Sequence, residues 1–445
     1  MSGRSPEPVP ERLSPNALER RVKRWWLAGP YETYVQVTPS LERVLIDEAI
    51  GVGLITDEAK ARPDRGGVSL NLDPAAVMRA NLSLRTASRV LLRLGTFPAA
   101  SVEMLYDRAR KLPWEVHLGF HTGYTLHVTA RGSNLQAGDE VANTVASAVS
   151  RHMRELGLYP KQTEAAPLEF HVRILNDYCT ISLDTSGELL HRRGFRRHVH
   201  AAPVRETLAA AMVLTGLAGM DEPPDVIVDP FCGSGTLLME AADVLQGLPP
   251  GRERTFAFEQ AAWFRPGRWR EVQRQAERAA GSVTDVATEG PDAESASTDD
   301  PVAAVAAGAA VAAAPLPKLL GFDFDPQALA AARANLASEA YRAVELAEAD
   351  STRLDFGSLG AKRGLVVSNL PYGVRLGEER TAAETTRRFL AQLAASGAAW
   401  RVVLLTTPAE ADVAQQLIDV EQVKATKNGG LDVRLVVGSV GRGYP

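Results

Sequence analysis

Cysteine is nearly missing from this chain: Cys179 and Cys232 are the only two among 445 residues. They lie far apart without metal-ligand spacing, which excludes a disulfide framework and a cysteine-held zinc, so no metal is expected. Such usage fits a reducing compartment. Long apolar runs are missing too. The longest stretch of small apolar residues, Val302 to Ala314, is alanine-rich, bracketed by prolines and too short to span a bilayer. No signal-peptide pattern is visible, so the expectation is a cytoplasmic protein with no membrane partner. Positive charge is not in excess either, since 49 Lys and Arg against 54 Asp and Glu give a net charge of −5. Attraction of nucleic acid by the whole surface is thereby excluded, and any RNA-binding surface must be local.

What is present is the composition of an ordinary globular protein, 45% hydrophobic and 23% charged, with length for two to four domains. A polar, proline-bearing tail, residues 1–30, reads as disordered apart from Trp25-Trp26. Strands at Thr33–Val37, Gly67–Leu72 and Ser88–Leu94 alternate with helices at Ser40–Ile50 and Asp73–Ala87. That pattern predicts a small ferredoxin-like α+β domain over 31–96. A second unit follows, with helices at Val102–Lys111 and Asp139–Leu156 and a strand at Tyr124–Ala130. Leu168–Leu175 and Tyr178–Asp184 read as a hairpin around Asn176-Asp177. After a linker over 191–202, Val204–Leu217 reads as a helix, and strand–helix alternation runs to residue 445. The alternation is interrupted by a low-complexity Ala/Asp/Glu/Ser/Pro insert over 280–317, expected to be a flexible loop.

Two segments of this last region carry chemistry. The strand Asp225–Val228 runs into Asp229-Pro230-Phe231-Cys232-Gly233-Ser234-Gly235-Thr236, and a helix follows. Gly233 and Gly235 lack Cβ, so the chain can turn at positive φ and admit a ligand against the backbone. No Gly-Lys-Ser/Thr ends the loop, which excludes a triphosphate-binding P-loop. Leu238 stands where a dinucleotide fingerprint needs its third glycine. The loop, with Asp229, Phe231, Gly233 and Gly235 as its candidate binding residues, instead resembles the S-adenosyl-L-methionine loop of class I methyltransferases. Asp323, ending the strand Leu319–Phe322, is placed to grip ribose hydroxyls, and Asp350, after Val344–Ala349, to accept from an adenine amino group. Asp325 reads as a helix cap.

The second segment is Ser368-Asn369-Leu370-Pro371-Tyr372, after the strand Leu365–Val367. A base amine is a poor nucleophile because its lone pair is delocalised into the ring. Asn369 and a carbonyl at Leu370 or Pro371 can accept its hydrogens and aim the lone pair at a methyl donor. Pro371 stiffens the turn and Tyr372 can stack on an extruded base. Asn369, Pro371 and Tyr372 are the candidate catalytic residues. The set resembles the Asn/Asp/Ser-Pro-Pro-aromatic signature of aminomethyltransferases, with Leu370 replacing a proline and removing one restraint on the loop. A basic run, His191 to His198, offers Arg192, Arg193, Arg196 and Arg197 as a candidate RNA surface.

The stretch from about Tyr31 to Gly441 resembles the THUMP-domain RNA guanine-N2 methyltransferases, particularly the bacterial large-subunit ribosomal RNA type. Four segments carry the likeness: Leu183–Gly187 with Leu190–Arg196, Ala202–Ala210, Asp229–Thr236 running into Glu240-Ala241-Ala242, and Asn428–Leu431. The resemblance implies an α/β fold: a class I (Rossmann-like) methyltransferase domain over 203–445 preceded by a ferredoxin-like domain and a THUMP domain over 97–190. It implies S-adenosyl-L-methionine as cofactor, held by Asp229, Gly233, Gly235, Asp323 and Asp350, and structured RNA as partner. It also implies that Asn369 and Tyr372 act on guanine N2, and that the segment Pro203–Thr207 closes over the methionine end of the cofactor. A transfer RNA guanine-N2 enzyme, an adenine-N6 enzyme and a non-catalytic RNA-binding or ribosome-assembly factor are the alternatives.

Overall fold

The computed structural model describes residues 13–120, 122–194, 204–286, 316–371 and 378–441. Its first half is built on strands β1 (Tyr31–Val37), β2 (Arg62–Asp64), β3 (Gly67–Leu72), β4 (Ala87–Pro98), β5 (Tyr124–Arg131), β6 (Leu168–Leu175) and β7 (Tyr178–Asp184). The twelve-residue β4 pairs antiparallel with β1 on one side and with β7 on the other. The ferredoxin-like and THUMP units therefore share one seven-stranded sheet, in the order β2-β3-β1-β4-β7-β6-β5. The expected boundary at 96/97 falls inside β4. The β6–β7 hairpin turns on Asn176 and Asp177, both at positive φ (50° and 61°), as a two-residue loop with the twist of its strands requires.

Helices α2 (Glu42–Gly51), α3 (Pro74–Ser83), α4 (Val102–Ala109), α5 (Trp114–Leu118) and α6 (Asp139–Glu155) accompany this sheet. One element corrects the sequence reading. The expected disordered tail contains helix α1 (Pro15–Ala28), started by Pro15 and capped by the Ser14 hydroxyl, which accepts from the Ala17 amide. Leu18, Val22 and Trp25 recur at i, i+4 and i+7 and are all buried. Averaged composition hides this stripe, because charged residues occupy the other faces.

The second sheet comprises β8 (Val226–Asp229), β9 (Lys318–Asp323), β10 (Val344–Glu348), β11 (Arg363–Asn369), β12 (Ala399–Thr406), β13 (Asp419–Asn428) and β14 (Leu431–Val440). Its order is β10-β9-β8-β11-β12-β14-β13, with the first five strands parallel and β14 antiparallel to β12. Helices α7 (Glu206–Ala218), α8 (Thr236–Leu245), α9 (Pro266–Val286), α10 (Pro326–Asn335), α11 (Glu378–Ala395) and α12 (Pro408–Ala414) connect or flank these strands. Every residue of β8 and β12 is buried, as parallel strands covered on both faces must be. The predicted insert begins inside α9, which continues to Val286. Residues 287–315 lie outside those described. No described helix is long and apolar enough to cross a membrane.

Candidate active site

Strand order reverses at β8: the chain steps through β9 and β10 on one side, then returns to β11 and β12 on the other. In an open parallel sheet, such a switch point leaves a crevice at the carboxyl ends of the two central strands. Asp229, Asp323 and Asn369 are the last residues of β8, β9 and β11, and Asp350 lies two residues past β10. The topology thus brings four of the sequence candidates to one edge.

The glycine loop there is held open by its neighbours. Gly233 has φ 52°, and a Cβ built on it meets nothing within 4 Å. Gly235, at φ 82°, precedes α8 without a side-chain cap, so the first amides of that helix keep their donors. A Cβ on Gly235 would lie 3.2 Å from Leu336 Cδ1 and 3.4 Å from Ala332 Cβ, so this glycine permits close packing of α10. The Gly233 amide donates to Asp323 Oδ2 (2.9 Å), Cys232 N to Phe322 O (2.9 Å) and Asn335 Nδ2 to Ser234 O (3.0 Å). The Ser351 hydroxyl donates to the Pro230 carbonyl. Phe231 is half-buried and meets Phe389 of α11 edge-on, with ring centroids 5.5 Å apart.

The three acids are not equivalent. Asp229 is buried, and its Oδ1 accepts from the Ser368 hydroxyl (2.7 Å) and the Phe231 amide (3.2 Å). Burial, reinforced by the Asp323 carboxylate, pushes its carboxyl up to about 7. Asp323 is half-exposed and accepts from Gly233 N at Oδ2 and from Asp325 N (3.0 Å) at Oδ1. Each of its oxygens has a second lone pair for a ligand. Asp350 is exposed, and its Oδ1 accepts from the Thr352 hydroxyl (2.7 Å) and amide (3.0 Å), which hold its carboxyl below the ordinary range. An open cradle at Gly233, helix amides beyond it and acids ending successive strands fit a nucleoside carrying a cationic amino-acid tail.

On the other wall, Asn369 is half-buried, Leu370 is buried and Pro371 is exposed. The Leu370 amide donates to Leu405 O of β12 at 2.9 Å. A proline at this position has no N–H and makes no such bond. The substitution that the sequence reads as a lost restraint therefore supplies another one. Tyr372 lies outside the described residues. Sequence reasoning missed Ser368, whose hydroxyl ties β11 to the end of β8; nothing but its place beside Asn369 signals it.

One member of the candidate RNA surface, Arg193, is corrected. Arg193 is 2% exposed, and its guanidinium donates to Glu240 Oε1 (3.0 Å), Leu190 O (2.9 Å) and Arg85 O (2.6 Å). It belongs to a buried network between the two halves. In that network Arg85 donates to Asp243 O (2.9 Å), and Arg252 grips the Asp243 carboxylate at 2.7 and 3.0 Å. A guanidinium so enclosed is withheld from phosphates. Arg192 is exposed and pairs with Glu188 at 3.2 Å; Arg196 and Arg197 lie outside the described residues. Pro203 is undescribed too, and α7 begins at Glu206. Elsewhere, Glu169, His171 and Asp184 place potential metal-ligand atoms within 4.8 Å of one another. Asp184 already pairs with the Arg89 guanidinium, and burial, Arg89 and His127 lower the His171 imidazole to about 4. With a fixed cation on that carboxylate, we assign no metal there.

Comparison with known proteins agrees with this architecture. Residues 193–436 match the RMKL-like methyltransferase domain, 32–91 the RlmL ferredoxin-like domain and 99–184 the THUMP domain. The chain is 30% identical over 365 residues to "Ribosomal RNA large subunit methyltransferase K/L" of Pseudomonas paraeruginosa, covering 79% of this chain. It spans only 45% of that relative's length. "Putative RNA methyltransferase YpsC" of Bacillus subtilis is 28% identical, with 84% of this chain and 88% of the relative covered. The solved structure of SMU.472, a putative methyltransferase complexed with SAH, superposes with a TM-score of 0.74 at 23% identity, over 93% of this chain and 99% of the other.

Proposed function

Since the chain belongs to the RMKL-like methyltransferase family, we propose that it is an S-adenosyl-L-methionine-dependent RNA methyltransferase forming N2-methylguanosine in large-subunit ribosomal RNA. The observation that carries the reading is the Ser368–Asp229 bond of 2.7 Å. It fastens the strand bearing Asn369 to the strand feeding the glycine loop, so one wall serves both the methyl donor and the amine that receives the methyl.

In this reading Gly233 and the first amides of α8 border the cofactor, Asp323 accepts from its ribose, Asp350 from its adenine and Asp229 from its ammonium. When bound, S-adenosyl-L-methionine supplies an electrophilic methyl group. Asn369 accepts a hydrogen of the guanine amine and turns its lone pair toward that methyl group. Leu370, anchored to β12, fixes the height at which the Asn369 carboxamide stands. Pro371 stiffens the turn, and Tyr372 is proposed to stack on the base. No strong base is required, because the amine becomes acidic as it gains the methyl group. A cytoplasmic location follows from the ribosomal RNA substrate.

The test is incorporation of labelled methyl into separated ribosomal and transfer RNA pools, followed by nucleoside identification. N2-methylguanosine in large-subunit RNA is expected. Label confined to transfer RNA, or appearing as N6-methyladenosine, overturns the assignment. Asn369→Ala abolishes incorporation with RNA affinity retained; a native chain that binds RNA and never methylates it is a binding factor.

A further inference from the structure

The outward face of α1 is a basic stripe. Arg20, Lys23, Arg24 and Leu27 follow one another at i, i+3, i+4 and i+7, and all four are exposed, Leu27 at 77%. Among the described residues the three cations form no ion pair. Several exposed arginines on other elements are paired, as in Arg62–Glu32 (2.7 Å), Arg151–Glu155 (2.8 Å) and Arg388–Glu384 (2.7 Å). In a chain of net charge −5, a cluster of uncompensated cations on a rigid element is not explained by solubility.

The helix is rigid because all three domains hold it. Arg21 donates to Glu115 Oε1 (2.7 Å) of α5, and Leu13 N to Leu156 O (2.8 Å) after α6. Trp25 stacks on Tyr31 of β1, with centroids 4.6 Å apart. Trp26 Nε1 donates to Trp263 O (2.7 Å), and Arg265, just before α9, grips both oxygens of Glu19 at 3.0 Å. Its one acid and one of its arginines are spent on these anchors, leaving three cations for solvent. The segment lies outside all three family matches, which begin at residue 32.

We propose that α1 is an RNA-docking element, with Arg20, Lys23 and Arg24 contacting consecutive phosphates of the substrate at the junction of the three domains. It rests on the RNA substrate proposed above. The occupant is a polyanion because the stripe is cationic and lacks acids, and a backbone rather than a base because the charges are long-armed and spaced along one line.

The test uses the full chain, native and as the triple variant Arg20→Gln, Lys23→Gln, Arg24→Gln, with an in vitro transcript of large-subunit ribosomal RNA as probe. Affinity is measured by filter binding over a potassium chloride series. Loss of three phosphate contacts flattens the slope of log affinity against log salt by about 2–3 units and lowers affinity about tenfold at moderate salt. Binding of S-adenosylhomocysteine and the melting temperature are expected to stay native, because all three side chains are exposed. A variant that binds the transcript with native slope and affinity overturns the docking role alone. A native chain that binds no RNA overturns the substrate reading and this inference with it.

Discussion

If Asp229 meets the ligand ammonium as proposed, cofactor binding should depend on pH. The Ser368 hydroxyl and the Phe231 amide both favour its anion, yet burial outweighs them and the carboxyl titrates at about 7. Relative to the ordinary 3.8, that separation is worth ~4 kcal/mol between the two charge states. For the ligand-free fold, the stabilising form is the protonated one. Its contribution is complete below about 4 and lost as pH rises through about 7. A ligand ammonium reverses the preference, since it needs the carboxylate. At pH 5.5 only about 3% of ligand-free Asp229 is ionised, so affinity for S-adenosylhomocysteine should be about thirtyfold weaker than at pH 8.5. Titration calorimetry in two buffers of different ionisation enthalpy should register close to one proton released per ligand near pH 6. Asp229→Asn should flatten both profiles while raising the melting temperature of the free protein at pH 8.5. A dissociation constant constant within twofold across this range, or an unaltered profile in the Asn variant, refutes the assignment of the charge to Asp229.

Two further changes probe the walls of the site and the joint between halves. Ser368→Ala removes one hydrogen bond to a buried acid, and a loss of about 1–2 kcal/mol, roughly tenfold, is expected in kcat with smaller change in RNA affinity. Equal kcat would show that the two strands hold their spacing without it. Arg193→Ala strands Glu240 and carbonyl acceptors in the interior, so a destabilisation of about 3–5 kcal/mol is expected, seen as a lowered melting temperature. A native melting curve accompanied by weakened RNA binding would restore the surface role that burial denies it.

The sequence makes β3, β6 and β7 legible to the residue, because alternation and turn chemistry bound them on both sides. The acids ending β8 and β9 are legible for a related reason: a polar residue closing an apolar run can sit only at a strand's rim. What escapes is whatever depends on distant partners. Arg193 and Arg192 are neighbours with the same side chain, and distant acceptors, the Glu240 carboxylate forty-seven positions away and the Arg85 carbonyl, make one of them interior. Asp184 looks like a strand-end acid, but its Oδ1 accepts from the Ser186 (2.8 Å) and Gly187 (3.2 Å) amides. The next residue's carbonyl takes the Phe258 amide (3.1 Å) of the other half. The segment by which the chain resembles its family therefore includes a structural joint. Helix α1 escapes because its apolar stripe is three residues wide and buried by partners from all three domains.

Sharing β4 between two modules removes any hinge between them. A cut anywhere in Ala87–Pro98 would bare two sheet edges at once, so neither module is expected to survive excision as a clean unit. With Arg85, just ahead of that strand, also bolted to α8, the span from the first sheet to the crevice at the ends of β8 and β11 behaves as a calliper with fixed jaws. On the proposed function, selectivity would then be a matter of length: a transcript would be modified where its own folding happens to present a guanine at that set reach.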